Sequence, residues 1–388
     1  MKNRLVVIGS AVAASVGLCM AVAPAAVAQP LKVTVACGDV AALLTAVGDA
    51  NANADGGTIT LAKNCAYRFT AEDAIGSGNA LPAITGKVKI IGHDSTLIRS
   101  VRDGLPHFRI LKVNEGGELL LKGTTVTGGH TDGDGAGIAN EGTLRLEDSK
   151  VAGNQAAGDG GGISNEGGNV TLIDSEVLTN VVTSTSDEPG DGGGISNNAT
   201  GTLTLKKSVV AGNTADEDGG GIQNQGTLSV EHSLITNNEA RDDDGGAINN
   251  LGTATIKKSK LVENWAGLDG GAINNGSDGT LEAWETEFAE NKAGKDGGAI
   301  NNEGTATLKK SKVESNQAGN DGGGINNEEE AGGDATQLTL EHATVAYNRA
   351  AGVGGGINNF TGAVVTLKNS KIIKNLPTNC EGTVPGCS

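Results

Sequence analysis

The sequence predicts an all-β fold, a right-handed parallel β-helix solenoid of about a dozen coils with a short N-terminal helical cap. Three observations predict it: one short motif recurs nine times, 62 of 388 residues are glycine, and only 2% are aromatic. The motif is Gly-[Gly/Ala]-[Gly/Ala]-Ile-x-Asn, with its isoleucine at Ile138, Ile163, Ile195, Ile222, Ile248, Ile273, Ile300, Ile325 and Ile357. The spacings are 25, 32, 27, 26, 25, 27, 25 and 32 residues. Self-similarity at such a period marks stacked structural units. Collagen is excluded, because the glycines keep no three-residue period and there are only 7 prolines. Disorder is excluded by 37% apolar residues recurring at fixed register.

Each repeat holds three short stretches that alternate with period 2. The first is Ile-x-Asn. The second is of the type Thr143-Leu144-Arg145-Leu146, and the third of the type Ser149-Lys150-Val151-Ala152-Gly153-Asn154. The asparagine that closes the third stretch returns at Asn180, Asn213, Asn238, Asn264, Asn291, Asn316, Asn348 and Asn375. Alternation over so few residues means strands. Three strands per period, separated by Gly- and Asn-rich corners, describe one turn of a parallel β-helix. Glycine and asparagine suit corners because both tolerate positive φ. Asparagines at one register are expected to hydrogen-bond up and down a ladder. The two long repeats carry polar insertions, before Ile195 and at 328–334, read as loops bulging from the solenoid. At roughly 4.8 Å per coil, the stack is about 55–60 Å long.

The ends differ from the repeats. Lys2 and Arg4, the apolar run Leu5 to Val22 and the small-x-small site Ala26-Val27-Ala28 read as a signal peptide over 1–28. Its removal takes away two positive charges and Cys19, leaving a net charge of −19 instead of −17 and four cysteines. Residues 29–112 read as an N-terminal cap and first degenerate coils, 113–375 as the β-helix repeats, and 376–388 as a C-terminal cap. In the first cap Asp39 is placed to N-cap a helix with Val40, Leu43, Leu44 and Val47 on one face. Strands are expected at 58–61, 88–91 and 108–110, and a degenerate coil over 119–129. Cys37, Cys65, Cys380 and Cys387 suit two disulfides in an exported chain. Nearness in sequence suggests Cys37–Cys65 and Cys380–Cys387, with three connectivities open. No second apolar run is long enough to span a bilayer. The negative charge argues against a nucleic-acid partner.

The Gly-Gly-Ala-Ile motifs at 245–248, 270–273 and 297–300 resemble the repeats of the polymorphic outer-membrane protein family. The whole mature chain is similar to the secreted, pectin-lyase-like right-handed β-helix proteins of actinobacteria. Their cap pattern reads here as Cys37-Gly38-Asp39-Val40-Ala41-Ala42-Leu43, then Gly57-Thr58-Ile59-Thr60-Leu61 and Cys65. The resemblance implies the fold. That fold hosts adhesins, tailspikes, lyases and hydrolases, so function must come from a site.

An aspartate stands four residues before the isoleucine in eight repeats: Asp134, Asp159, Asp191, Asp218, Asp244, Asp269, Asp296 and Asp321; the ninth has Val353. Asp187, Asp216, Glu217, Asp242 and Asp243 add to this row. Stacked at strand spacing, such carboxylates repel unless cations or hydrogen bonds intervene. Calcium takes six to eight oxygens, which makes Asp191, Asp216, Asp218, Asp242 and Asp244 its candidate ligands. The competing reading has each aspartate accepting backbone N–H groups of its own turn. A polyuronate lyase also needs a base, for which Arg241 is the candidate and Lys295 a weaker one. The Asp-Asp, Gly-His-Gly and Arg-x-Lys set of polygalacturonases is missing. His232 and His342 fall four coils apart, and His93, His107 and His130 are expected on the surface. The two residues before each Ser alternate between lysine and acid from Lys206 onward, which reads as a structural register device.

The expected function is a secreted, non-enzymatic surface or matrix rod whose face or loops contact a glycan or a cell-surface protein. The alternative is a calcium-dependent enzyme on acidic polysaccharide, using the acids of 187–244 and Arg241. A rod with no ligand is the third reading.

Overall fold

A computed structural model describes residues 29–100, 106–183, 190–328 and 336–387. The expected signal peptide, Asp187 and most of the 328–334 insertion lie outside the described residues. The described residues form a parallel β-solenoid of about 13 turns with one helix. Its strands stack into sheets of 23, 9 and 11 members, and the strand-to-strand ladders are parallel.

Eight of the nine repeats contribute four strands rather than the expected three; in the last, the fourth position is a single bridge between Arg349 and Leu376. In one coil they are Ile248–Asn250, Thr253–Lys257, Lys260–Val262 and Trp265–Ala266. The fourth has only two residues, too few for alternation to reveal. Its signal was the small residue two places after each closing asparagine, from Ala156 to Ala350, which is buried. The second and third strand positions share one sheet because Lys87–Arg99 and Glu118–Thr127 run unbroken through both.

In later coils a left-handed residue divides those positions. Asp148, Asp174, Lys207, His232, Lys258, Glu285, Lys310, His342 and Asn369 have φ between 47° and 52°. Glycine or asparagine was expected at corners, and of these nine only Asn369 is either. Here the stack imposes the conformation on any side chain, because the backbone N–H donates to the next coil, as Lys258 does to the Trp284 carbonyl at 2.9 Å. The following serine adds a second tie. Ser208 Oγ donates to the Lys206 carbonyl (2.9 Å) and accepts the Ser175 backbone N–H (3.2 Å).

The core is one column. Every motif isoleucine is fully buried, joined by both inward residues of the second strand and one of the third, such as Leu203, Leu205 and Val210. Each of these large side chains contributes about 1.5–3 kcal/mol by leaving water. Two asparagine ladders run beside the column. Asn224 Nδ2 donates to Asn250 Oδ1 and Asn250 Nδ2 to Asn275 Oδ1, both at 2.7 Å. The closing asparagines do the same, Asn238 to Asn264 at 3.0 Å and Asn264 to Asn291 at 2.9 Å. An amide both donates and accepts, so the inner rungs satisfy one another; at the first rung Asn140 donates to Asn165 while its own buried Oδ1 has no partner.

Helix α1 (Val40–Ala52) covers the first turn, with Asp39 accepting the Ala42 N–H at 2.9 Å. Its buried stripe is Leu43, Ala46, Val47 and Ala50, and Val40 and Leu44 of the expected face pack partly buried against the core. Strand Leu31–Val35 pairs with Gly57–Leu61 and starts the stack. The strand expected at 108–110 is displaced to Leu111–Val113, whose register is set by pairing with Ile138–Asn140. Cys37 bonds Cys65 across the cap, and Cys380 bonds Cys387 at the far end. Among the described residues no helix is long and apolar enough to cross a membrane.

Candidate functional site

The aspartate row follows from the turn before each motif isoleucine. Glycine directly after each aspartate takes φ near +65°, as Gly245 (67°) and Gly270 (65°) do. A Cβ on Gly245 would lie 2.5 Å from the Ile248 carbonyl oxygen, so only glycine lets the turn fold onto its own strand. The turn aims the carboxylate along the stack. Oδ1 then accepts the backbone N–H of the next coil's aspartate: Asp191 from Asp218 (3.1 Å), Asp218 from Asp244 (3.1 Å), Asp244 from Asp269 (2.8 Å) and Asp269 from Asp296 (2.7 Å). The hydrogen-bonded reading therefore describes Oδ1, with the donor supplied by the following coil rather than by the residue's own turn.

The second carboxylate oxygen meets a row that sequence reasoning missed. The middle residue of Ile-x-Asn points outward yet is buried: Gln223, Asn249, Asn274, Asn301, Asn326 and Asn358 are at most 5% exposed. Asn249 Nδ2 donates to Asp218 Oδ2 (2.7 Å), Asn274 to Asp244 (3.1 Å), and Gln223 Nε2 to Asp191 (2.9 Å). From Asn274 onward these amides also bond each other, each donating to the preceding coil. The change from Ala139 and Ser164 to asparagine along the chain was the available signal.

Charge in the row is uneven. Burial pushes the Asp159 carboxyl up to about 6, with Asp191 and Asp134 adding to it. Asp218 is pushed up to about 8 by burial and the charges of Asp191 and Asp243. Asp244 reaches about 7 through burial, Asp269 and Asp243. Farther on, Lys295 Nζ lies 3.0 Å from Asp269 and 3.6 Å from Asp296. Its hydrogen bond to Asp269 holds the ammonium well above the usual lysine range, so it stays protonated at neutral pH.

Of the candidate calcium ligands, the structure brings Asp218 and Asp244 together, with Asp243 as the third member: their oxygens lie within 4.8 Å of one another. Asp191 is the next step of the row. Asp216 turns away to Arg241 (3.0 Å), and Asp242 is exposed. The Gln223 carboxamide is on Asp191 instead, and its buried Oε1 has no hydrogen-bond partner. Three carboxylates are a donor set for a hard divalent cation, completed by water. Arg241 also approaches Glu239 (3.9 Å) and faces solvent.

Two other groupings complete the picture. His107 and His130 stack at 3.7 Å and lie with Asp132, a constellation the sequence spacing did not suggest. Burial lowers the His130 pKa. On the lysine–acid stripe, Lys206, Glu231 and Lys257 occupy neighbouring strand positions. Trp284 takes an acidic coil's place there, between Lys258 and Lys310 at 5.2 and 5.6 Å. The ring's contacts with the two lysines keep the alternation.

Comparison with known proteins agrees with this architecture. A model of the Chlamydia polymorphic membrane protein repeat matches residues 285–303. No curated protein matches the chain. Among solved structures it is similar to the A-module of the Azotobacter vinelandii mannuronan C-5 epimerase AlgE6, at 13% identity and a TM-score of 0.56, over 89% of this chain and 92% of that one. Pectate lyase Pel9A is 12% identical over 92% of this chain and 82% of its own, with a TM-score of 0.42. An iota-carrageenase complexed to iota-carrageenan fragments is 13% identical over 76% and 57%, with a TM-score of 0.22. At these identities the epimerase module shares the fold, a parallel β-helix.

Proposed function

We propose that this chain is an exported, non-enzymatic β-helix rod that binds a glycan along its length. One observation carries the reading: the polar machinery that would serve catalysis is consumed by the stack. Each Oδ1 from Asp134 to Asp321 holds the next coil, Arg241 is tied to Asp216, and Lys295 is tied to Asp269. What remains outward is repetition, the same register of side chains presented once per coil in straight rows. A polymer with a short repeat is the ligand such rows suit, and mannuronan, named for the first neighbour, is a polymer of that kind. Export rests on the 1–28 leader and on the two disulfides, which persist in oxidising compartments.

The enzyme reading keeps one observation in its favour, the convergence of Asp218, Asp243 and Asp244. Incubation with acidic and neutral polysaccharides, with and without calcium, separates the two. The rod sediments with at least one insoluble or gelled glycan and releases no new reducing or unsaturated ends. Calcium-dependent release, lost in Arg241→Ala, would replace this proposal with the lyase.

A further inference from the structure

The corner between the third and fourth strands holds a concave groove of about 520 Å³. One wall is the left-handed row Asn237, Glu263, Glu290 and Ser315, with φ of 54° to 62°. The other is the outward row Trp265, Lys292 and Gln317, in register on adjacent strands. Trp265 is 37% exposed. The fold does not need an aromatic there, because the same position holds Gln155, Thr214, Glu239 and Lys292 in other coils. Trp284 has a lysine over its ring on two sides and Tyr347 has Lys374 at 5.1 Å. Among the described residues no ring or cation covers Trp265. Nor do Glu290 and Lys292 form an ion pair there, so an acceptor and a donor face the groove beside the indole.

We propose that this corner is a binding site for a neutral glycan chain lying along the rod, with one pyranose ring stacked on Trp265. The inference rests on the glycan-binding reading above and gives it a place and a ligand class. An indole offers a flat apolar face to the C–H side of a pyranose. Glu263 and Glu290 accept from hydroxyls, and Lys292 and Gln317 donate to them. End to end, from Asn237 to Ser315, the groove spans three coil steps, about 14 Å, room for several sugar rings. Two carboxylates against one ammonium leave the lining net negative, which disfavours a polyuronate and admits an uncharged chain.

The test uses the mature chain with Trp284→Phe, which leaves Trp265 as its one tryptophan, against cellohexaose, mannohexaose and hexagalacturonate. A neutral hexasaccharide is expected to shift Trp265 emission to the blue and shield it from acrylamide, while hexagalacturonate does neither. In calorimetry on the otherwise wild-type chain, Trp265→Ala weakens neutral-sugar binding about ten-fold or more. Its melting temperature stays unchanged, and Trp265→Phe recovers part of the affinity. Full affinity in Trp265→Ala, with unshifted emission, would overturn the groove while leaving a glycan-binding rod. Preference for hexagalacturonate would overturn the ligand class. No binding of any of the three overturns the groove, and the rod's function falls with it only if sedimentation with polysaccharide fails as well.

Discussion

Two segments of one aspartate row solve the same problem differently. In both, a carboxylate per coil stands above its neighbour and spends Oδ1 on the next backbone N–H. In the later segment Lys295 sits between Asp269 and Asp296, which are 7% and 4% exposed. In the earlier one the same register, two coils before, is held by Asp243: its carbonyl accepts from Leu268, whose carbonyl accepts from Lys295. A cation clamps one pair, and a third carboxylate crowds the other. A carboxylate cannot donate, so a stack of them, unlike a stack of amides, must find its positive charge elsewhere. Burial raises both carboxyls, and the neighbouring acids raise them further, so Asp218 and Asp244 reach about 8 and 7; burial raises Asp296 too, but there Lys295 works in the opposite direction.

The largest effect comes from breaking the frame that both segments share. Asn250→Leu removes the donor to Asn275 Oδ1 and Gly252, and the acceptor for Asn224 Nδ2. Leaving several buried groups unpaired costs about 3–5 kcal/mol, read as a lower urea midpoint. An unchanged midpoint would mean the ladder follows register rather than setting it. Next comes the clamp itself. Lys295→Met leaves Asp269 and Asp296 buried without their cation, a loss of about 1–3 kcal/mol at pH 8, since Lys295 is itself half exposed. Burial raises the Asp296 carboxyl, so the loss shrinks as pH falls and that group takes up its proton.

Much of this frame was legible in the sequence, and the reason is physical. A solenoid repeats its environment, so Ile-x-Asn, the closing asparagines and the aspartates each return at one register. The fourth strand was hidden because two residues carry no period. The buried outer amides were hidden because an outward residue between Ile and Asn reads as exposed; only the folded turn of Gly245 and its equivalents shows that it is covered. The role of Lys295 was hidden for a different reason. Its contrast with Asp243 needs the vertical neighbour, and 52 residues separate the two in sequence.

The reciprocal exchange sharpens the comparison. Asp243→Lys places an ammonium between Asp218 and Asp244, as Lys295 stands between Asp269 and Asp296. In the wild type the folded chain binds protons more tightly than the unfolded one, because Asp159, Asp244 and Asp218 sit near 6, 7 and 8 against an ordinary 3.8. Stability is therefore fullest below pH 4 for these groups and declines as pH rises to 8. Asp243→Lys flattens that decline and adds about 1 kcal/mol at pH 8, measured by thermal melts across pH. A variant that melts with the wild-type slope would show that burial alone, not Asp243, sets the two raised carboxyls.

The smallest expected effect asks whether a mobile cation does for the early segment what Lys295 does for the later one. Asp218, Asp243 and Asp244 converge, and protonation is the fold's other way of relieving them, so proton and metal compete for the same oxygens. Millimolar calcium should then raise the melting temperature at pH 8 and do nothing at pH 5, where the protons already hold the site. The gain follows the ratio of free calcium to its dissociation constant, under about 1 kcal/mol for a site of millimolar affinity. In Asp243→Lys the calcium response disappears, because the ammonium occupies the cation's place. Equal shifts in wild type and Asp243→Lys would assign calcium to the general negative surface. No shift at pH 8 would mean that protons and backbone N–H groups suffice for the row.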